Sequence, residues 1–194
     1  NNIDEYKVLA VSIGEALERI GIPFEMVGHT AAYHSSRLYG VDCSAFHRIN
    51  PIWMRFYKTF DEKWCAVRPR CNNISALSQN VDGEALDYIA RRIVGRKKKR
   101  KIVFVLSDGL PVANEGHDDR LQGHLKEVVN KYRKENVEIY GFGIDTNDPK
   151  EYYGDDYFLY LKNTKEMDRP FFNKFAQIIT KGRMNTQKLM GMVG

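Results

Sequence analysis

No stretch of this 194-residue chain is apolar enough to cross a bilayer, since a spanning helix needs roughly 18 to 20 successive apolar residues. Cysteine is scarce as well. Cys43, Cys65 and Cys71 are odd in number and lack metal spacing, so they read as reduced thiols of a cytoplasmic protein. No Gly-x-x-x-x-Gly-Lys-Ser/Thr run is present, which excludes binding of ATP in the P-loop manner. Ser12, Ser35 and Ser44 stand outside any Gly-x-Ser-x-Gly context and have no convincing His and Asp partners, so no serine nucleophile is indicated. Internal repeats, low-complexity linkers and a signal-peptide pattern are all missing. What remains is a chain that is 43% hydrophobic, enough to bury one good core and to favour a single domain.

The most informative feature that is there runs from Arg100 to Pro111. Ile102 to Leu106 is an unbroken apolar run between a basic stretch and Ser107-Asp-Gly109. A short strand without alternation is expected to be buried on both faces, which is the habit of a parallel sheet covered by helices. Ser107, Asp108 and Gly109 would then sit at its carboxyl end, where open α/β sheets place their ligands. A carboxylate there suits oxygen ligation of a hard cation such as Mg²⁺.

Helical and extended segments alternate around this strand. Tyr6, Leu9, Val11, Ile13, Leu17 and Ile20 recur at near-helical spacing, with Asp4 able to cap the start and Gly21 ending the helix. Pro23–Gly28 reads as a short strand, 29–50 as a long loop, and 52–58 as an alternating edge strand. Residues 64–77 read as helical despite Pro69, and 83–95 as a clearer helix with Leu86, Ile89, Ala90, Ile93 and Val94 on one face. Further on come a helix at 121–134, a buried strand at 137–144, a strand at 157–161 and a helix at 170–180 that opens on Pro170. The pattern predicts a doubly wound, mostly parallel α/β sheet flanked by helices, over residues 1–180, followed by a tail at 181–194.

A second motif, Asn80-Val-Asp-Gly-Glu-Ala-Leu86, lies at a helix start. Asp82 can cap that helix and Glu84 falls in its first turn, where the helix dipole favours acids. A well-capped helix accounts for this segment on its own. Taken with Asp108 at the next strand's end, it offers two carboxylates from adjacent loops on one sheet edge. That combination resembles the von Willebrand factor A domain, in the form found at the C-terminus of the cobaltochelatase T subunit. In that family an Asn-x-Asp-Gly-Glu-Ala-Leu segment precedes a strand ending in Ser-Asp-Gly-x-Pro, as Asn80–Leu86 and Ser107–Pro111 do here. The stretches 18–30, 57–64, 124–126 and 141–144 also have counterparts in the same order.

The resemblance implies a metal-ion-dependent adhesion site holding Mg²⁺ or another divalent cation. Asp108 would be the third-loop acid, and Asp82 stands where many such domains have Thr. Asn80, Glu84, Ser107, Gly109 and Asp118 would form the rim that meets a partner. The family's Asp-x-Ser-x-Ser loop and central strand would fall before Asn1, so low ion occupancy is expected of these residues without that loop. The implied partners are a ring-forming AAA+ ATPase resembling the chelatase S subunit and, in the wider complex, a large chelatase subunit, with no membrane involved. The chain would be a non-catalytic subunit of such a complex and not an enzyme alone.

Other groups of residues admit other readings. Arg96–Lys101 concentrates part of the net charge of +5, and Lys97, Lys98, Lys99 and Arg100 could touch nucleic acid, although a solvated loop explains the run more simply. A degenerate, metal-free domain acting as a scaffold is a further alternative. His29, His34, His47 and Cys43 match no structural zinc spacing. His117, Asp118 and Asp119 form an acidic cluster that reads as a loop and helix cap, and Asp145–Asp148 is explained by turn chemistry. Tyr152, Tyr153, Tyr157, Phe158 and Tyr160 could stack on a base or tetrapyrrole, but packing against the last helix is the simpler reading.

Overall fold

Strands and helices alternate through the computed structural model, which describes residues 3–31, 37–38, 41–42, 51–107, 109–112, 118–166 and 169–181. Helix α1 (Ile3–Arg19) leads into β1 (Met26–Ala31), and β2 (Arg37–Leu38), β3 (Val41–Asp42) and β4 (Ile52–Lys58) follow. Then come α2 (Trp64–Val67), α3 (Asp82–Val94), β5 (Lys101–Leu106), α4 (Asp118–Lys134) and β6 (Val137–Ile144). The chain continues through α5 (Lys150–Tyr153), β7 (Phe158–Leu161) and α6 (Arg169–Thr180).

β5, β6 and β7 form a parallel sheet in that order, with Val105 beside Gly141 and Gly141 beside Phe158. β1 and β4 pair antiparallel, Ala31 opposite Ile52 and Val27 opposite Phe56, while β2 and β3 make a small hairpin. Side chains alternate across the parallel sheet as its pleat requires. Ile102, Phe104, Leu106, Tyr140, Phe142 and Ile144 face α1 and α6, where they meet Leu9, Ile13, Phe171 and Phe175. Val103, Val105, Val137 and Ile139 face the other way, onto Leu86 and Ala90 of α3 and Leu125 and Val129 of α4. The result is the helix–sheet–helix layering expected of an α/β fold. Each fully buried aromatic here, Phe142 for example, contributes about 2–3 kcal/mol of apolar transfer.

β6 is the central strand, and its Gly-Phe-Gly has a steric cause. A Cβ on Gly141 would lie 2.1 Å from Cδ2 of Tyr153, and one on Gly143 would lie 2.3 Å from the carbonyl oxygen of Thr146. Only hydrogen at these positions lets α5 and the loop after β6 close on the sheet.

Several elements depart from what the sequence predicts. The strand expected at 23–28 starts at Met26 and continues through His29 to Ala31, because the ladder with β4 and hydrogen bonds to Gln79 hold that end. The helix expected at 64–77 is one short turn of α-helix, α2, and then a 3-10 segment, Arg68–Asn73. Pro69 explains the break, since it has no N–H to continue the ladder. β5 is expected to be buried on both faces but is mostly half-buried, because it stands at the edge of its sheet. The central strand that the resemblance implies, expected to fall outside these residues, would stand between β1 and β5. In the structure the two belong to separate sheets and no ladder joins them among the described residues.

Candidate metal-ion site

Three segments are stitched together where β1 and β5 end. The amide of Ala31 donates to the carbonyl of Gln79 at 2.7 Å, and the amide of Gln79 donates back to Ala31 at 3.3 Å. Thr30 Oγ1 donates to the same Gln79 carbonyl at 3.2 Å and accepts from the amide of Ser78. One residue on, Asn80 and Val112 exchange backbone hydrogen bonds of 3.2 and 3.1 Å. The Asn80 side chain adds to this clamp, donating from Nδ2 to the carbonyl of Leu110 at 3.1 Å and accepting at Oδ1 from the amide of Val112. Asn80, expected on the partner-facing rim, therefore fastens the loop after β5 to the segment before α3.

That fastening delivers Asp82 to the head of α3. The residue before it, Val81, occupies the N-cap position and makes no side-chain cap, so the expectation that Asp82 caps the helix is corrected: it is the first helical residue. Its carboxylate still profits from the positive end of the helix dipole. Asp82 is only 4% exposed. Oδ2 lies 3.4 Å from Asn80 Nδ2, and Oδ1 lies 3.5 Å from Nε2 of His29 on β1. Gly83 lets α4 approach, since a Cβ there would be 2.7 Å from Nδ1 of His124 and 3.0 Å from the amide of Leu125.

The electrostatic reach of Asp82 extends to α5. Burial pushes the Tyr152 hydroxyl up to about 12, with the charges of Glu151, Asp148 and Asp82 adding to the effect. Burial pushes Tyr153 well above its ordinary value, Asp82 again contributing. Neither hydroxyl has a hydrogen-bond partner among the described residues, and Nδ1 of His29 likewise has none.

Ser107, 8% exposed, begins the turn after β5, and its hydroxyl donates to the carbonyl of Gly109 at 3.1 Å. Tyr6 reaches in from α1 to set this turn. Its hydroxyl donates to the carbonyl of Ser107 at 2.7 Å and accepts from the amide of Ile144 at 3.0 Å. The ends of β5 and β6 are thus tied through one phenol.

Among the residues expected at the site, Asp82, Asn80, Ser107 and Gly109 come to this rim, and Glu84 is half-buried in the first turn of α3. Asp118 is the first residue of α4. Asp108 lies outside the described residues, as do His34, Cys43, His47 and His117. Among the described residues no three His, Cys, Asp or Glu side chains converge to hold a metal ion. The oxygens of this rim of the kind a hard cation takes are the Asp82 carboxylate, which has His29 Nε2 at 3.5 Å, and Ser107 Oγ. These residue types fit a divalent ion.

The remaining candidates resolve into structure. Arg100 is engaged by Glu138 and by the carbonyls of Ile178 and Ile179, and Arg96 lies 4.4 Å over Phe60, whereas Lys97, Lys98 and Lys99 are exposed. Tyr152, Tyr153 and Phe158 are core residues and Tyr157 stacks under Arg133 at 4.1 Å, leaving Tyr160 exposed. Asp145 is exposed in a left-handed conformation with φ 57°, and the amide of Asp148 donates to Thr146 Oγ1 as in a turn. Cys65 and Cys71 are free thiols. Nothing local in the sequence marks His29, Tyr6, Tyr152 or Tyr153 as neighbours of the site. The one available signal was the position of His29 beside a strand end.

Helices on both faces of a parallel sheet, with an acidic residue near its carboxyl rim, make an α/β domain of the layered kind to which the von Willebrand factor A class belongs. The chain belongs to the family described as the cobalamin biosynthesis protein CobT VWA domain, which matches residues 3–192. That membership ties it to cobalamin biosynthesis. No solved structure gives a significant match.

Proposed function

We propose that the chain is a metal-ion-dependent protein-interaction module. A divalent cation, Mg²⁺ in the first instance, is held by Asp82 and Asp108 and completed by an acidic side chain from a partner. The partner is an AAA+ ATPase ring, with a large chelatase subunit as a third member, and the complex works in the cytoplasm in metal chelation or protein remodelling. The chain supplies binding and orientation, not a catalytic group. The observation that carries this reading is the nearly buried Asp82 carboxylate, fixed at the head of α3 by loops stitched to β1 and to the turn after β5. Burying a carboxylate is costly unless charge and hydrogen bonds compensate, and a divalent ion would add to the contacts that Asn80 and His29 already make with it.

The reading is tested on the full-length protein by thermal unfolding during a Mg²⁺ titration. An ion that binds only the folded state stabilises it by about 2.7 kcal/mol at a hundredfold excess over Kd. The unfolding midpoint should rise in the parent protein and stay flat in Asp82→Asn and Asp108→Asn, and both variants should lose the ATPase ring in pull-down. A Mg²⁺ response that survives both substitutions overturns the proposal. The nucleic-acid reading predicts instead a steep salt dependence with no need for a divalent ion. With Arg100 bound to Glu138, that reading rests on Lys97, Lys98 and Lys99.

A further inference from the structure

We propose that Arg55 is a docking point for a carboxylate side chain, an Asp or Glu carried by an acidic protein segment, at a site separate from the Asp82 rim. Successive side chains of a strand point to opposite faces, so Trp53, Arg55 and Tyr57 share one face of β4. The guanidinium carbon of Arg55 lies 5.6 Å from the centre of the Trp53 ring and 5.5 Å from that of Tyr57. Both distances fall within the roughly 6 Å over which an aromatic face attracts a cation. Gly28 stands opposite Arg55 on β1, and a Cβ there would lie 3.0 Å from Cε2 of Tyr57, so the glycine leaves that ring its place beside the arginine. His29 and Phe56 belong to the other face of the β1–β4 pair, the one turned to Asp82 and α3.

Arg92 shows what completes such an arrangement. Its guanidinium lies 4.8 Å over Phe56 and 6.0 Å over Tyr88, and it gives its edge to Glu25, Nε at 2.9 Å and Nη2 at 2.8 Å from the two carboxylate oxygens. Arg55 has the aromatic flanks without the carboxylate. Among the described residues its guanidinium makes neither an ion pair nor a hydrogen bond. The side chain is half-buried, so its N–H donors are held in place by the rings and still open to an incoming acceptor. A carboxylate matches the planar fork through two parallel hydrogen bonds, a match that a lysine's point charge does not offer. The net charge of +5 favours the approach of an acidic segment over a basic one.

The experiment is a ¹⁵N NMR titration of the full-length protein with an end-capped tetraglutamate peptide, read at the Nε–H of Arg55. End-capped tetraglutamine and phosphoserine tetrapeptides are the comparison probes. The Arg55 signal should shift saturably with tetraglutamate and stay still with tetraglutamine. Arg55→Lys keeps the charge and removes the fork, and its affinity is read at the amide of Gly28, which both proteins share. That variant should bind tetraglutamate about tenfold more weakly than the parent. Its thermal midpoint and its response to Mg²⁺ should match the parent's. An unmoved Nε–H signal in the parent, or equal affinity in Arg55→Lys, overturns the inference and makes Arg55 a packing residue of β4. Tighter binding of the phosphoserine peptide than of tetraglutamate overturns the choice of carboxylate and gives the site to phosphate.

Discussion

Tyr6 places a single phenol between the ends of two parallel strands. Its hydroxyl serves Ser107 and Ile144, residues that lie 101 and 138 positions away in sequence. Both partners are backbone groups in a buried setting, so removing the hydroxyl leaves a carbonyl and an amide unsatisfied. Tyr6→Phe should therefore cost about 1–3 kcal/mol in urea unfolding with no change in helical content. A loss below about 0.5 kcal/mol would mean that water replaces the phenol. At this scale the sequence is legible only where the chemistry is local. Asn80–Leu86 and Ser107–Gly109 carry their own spacing, so Asp82 and its turn are readable from the chain. His29, Tyr6, Tyr152 and Tyr153 reach the same region through tertiary contacts, and no local pattern encodes such contacts.

Among the elements, α6 depends on a residue far from it. Arg100, at the entrance to β5, donates to the carbonyls of Ile178 and Ile179 and so satisfies orphan acceptors near the end of that helix. The same guanidinium grips Glu138 on β6, and Tyr140 donates to that carboxylate at 3.0 Å. The Arg100 hydrogen bond, aided by Tyr140 and opposed by burial, holds the Glu138 carboxyl below its ordinary 4.5. A carboxyl with a folded-state pKa below its unfolded value contributes stability that is complete above the unfolded pKa and is lost as pH falls through the folded one. Glu138→Gln should thus be less stable than the parent by about 2 kcal/mol near neutrality. The difference should begin to shrink as the pH drops below the ordinary 4.5 and be lost as it falls through the lower value of folded Glu138. A gap that holds constant in acid would show that this ion pair does not drive the effect.

Legibility differs among the elements for physical reasons. β6 is apolar from end to end and bounded by turns, and its expected limits, 137–144, are those observed. α4 and α6 are one-sided helices, expected at 121–134 and 170–180 and observed over Asp118–Lys134 and Arg169–Thr180, so their existence is legible and their first turns are not. β1 was displaced because its end is set by Gln79 and Ile52, neither of which is near it in the chain. The segment after Trp64 has helical spacing of apolar residues, but Pro69 overrules the spacing. β5 looked like a doubly buried strand from composition alone, and its actual exposure depends on its place in the sheet order, which composition does not encode.

For the molecule as a whole, the excess of positive charge is unevenly available. Of the run Arg96–Lys101, the arginines at 96 and 100 are tied to Phe60 and Glu138, and the lysines at 97, 98 and 99 are exposed. Replacing those three lysines by Gln should change stability by no more than about 0.5 kcal/mol. It should leave retention of the ATPase ring unaltered in the pull-down described above. Loss of the partner in that variant would move the docking face from the carboxyl rim to the β5 entrance.

The antiparallel pair β1–β4 and the parallel trio β5–β7 exchange no strand-to-strand ladder among the described residues, yet residues 78–80 bond to β1 on one side and to Val112 on the other. This short segment works as a crossbar, and Asp82 is the first helical residue beyond it. Whatever grips Asp82 pulls on both sheets together. Amide hydrogen exchange at Ala31, Gln79 and Val112 should accordingly slow in step when the rim is occupied, and the outer strand β4 should register the event although it lies on the far side of β1.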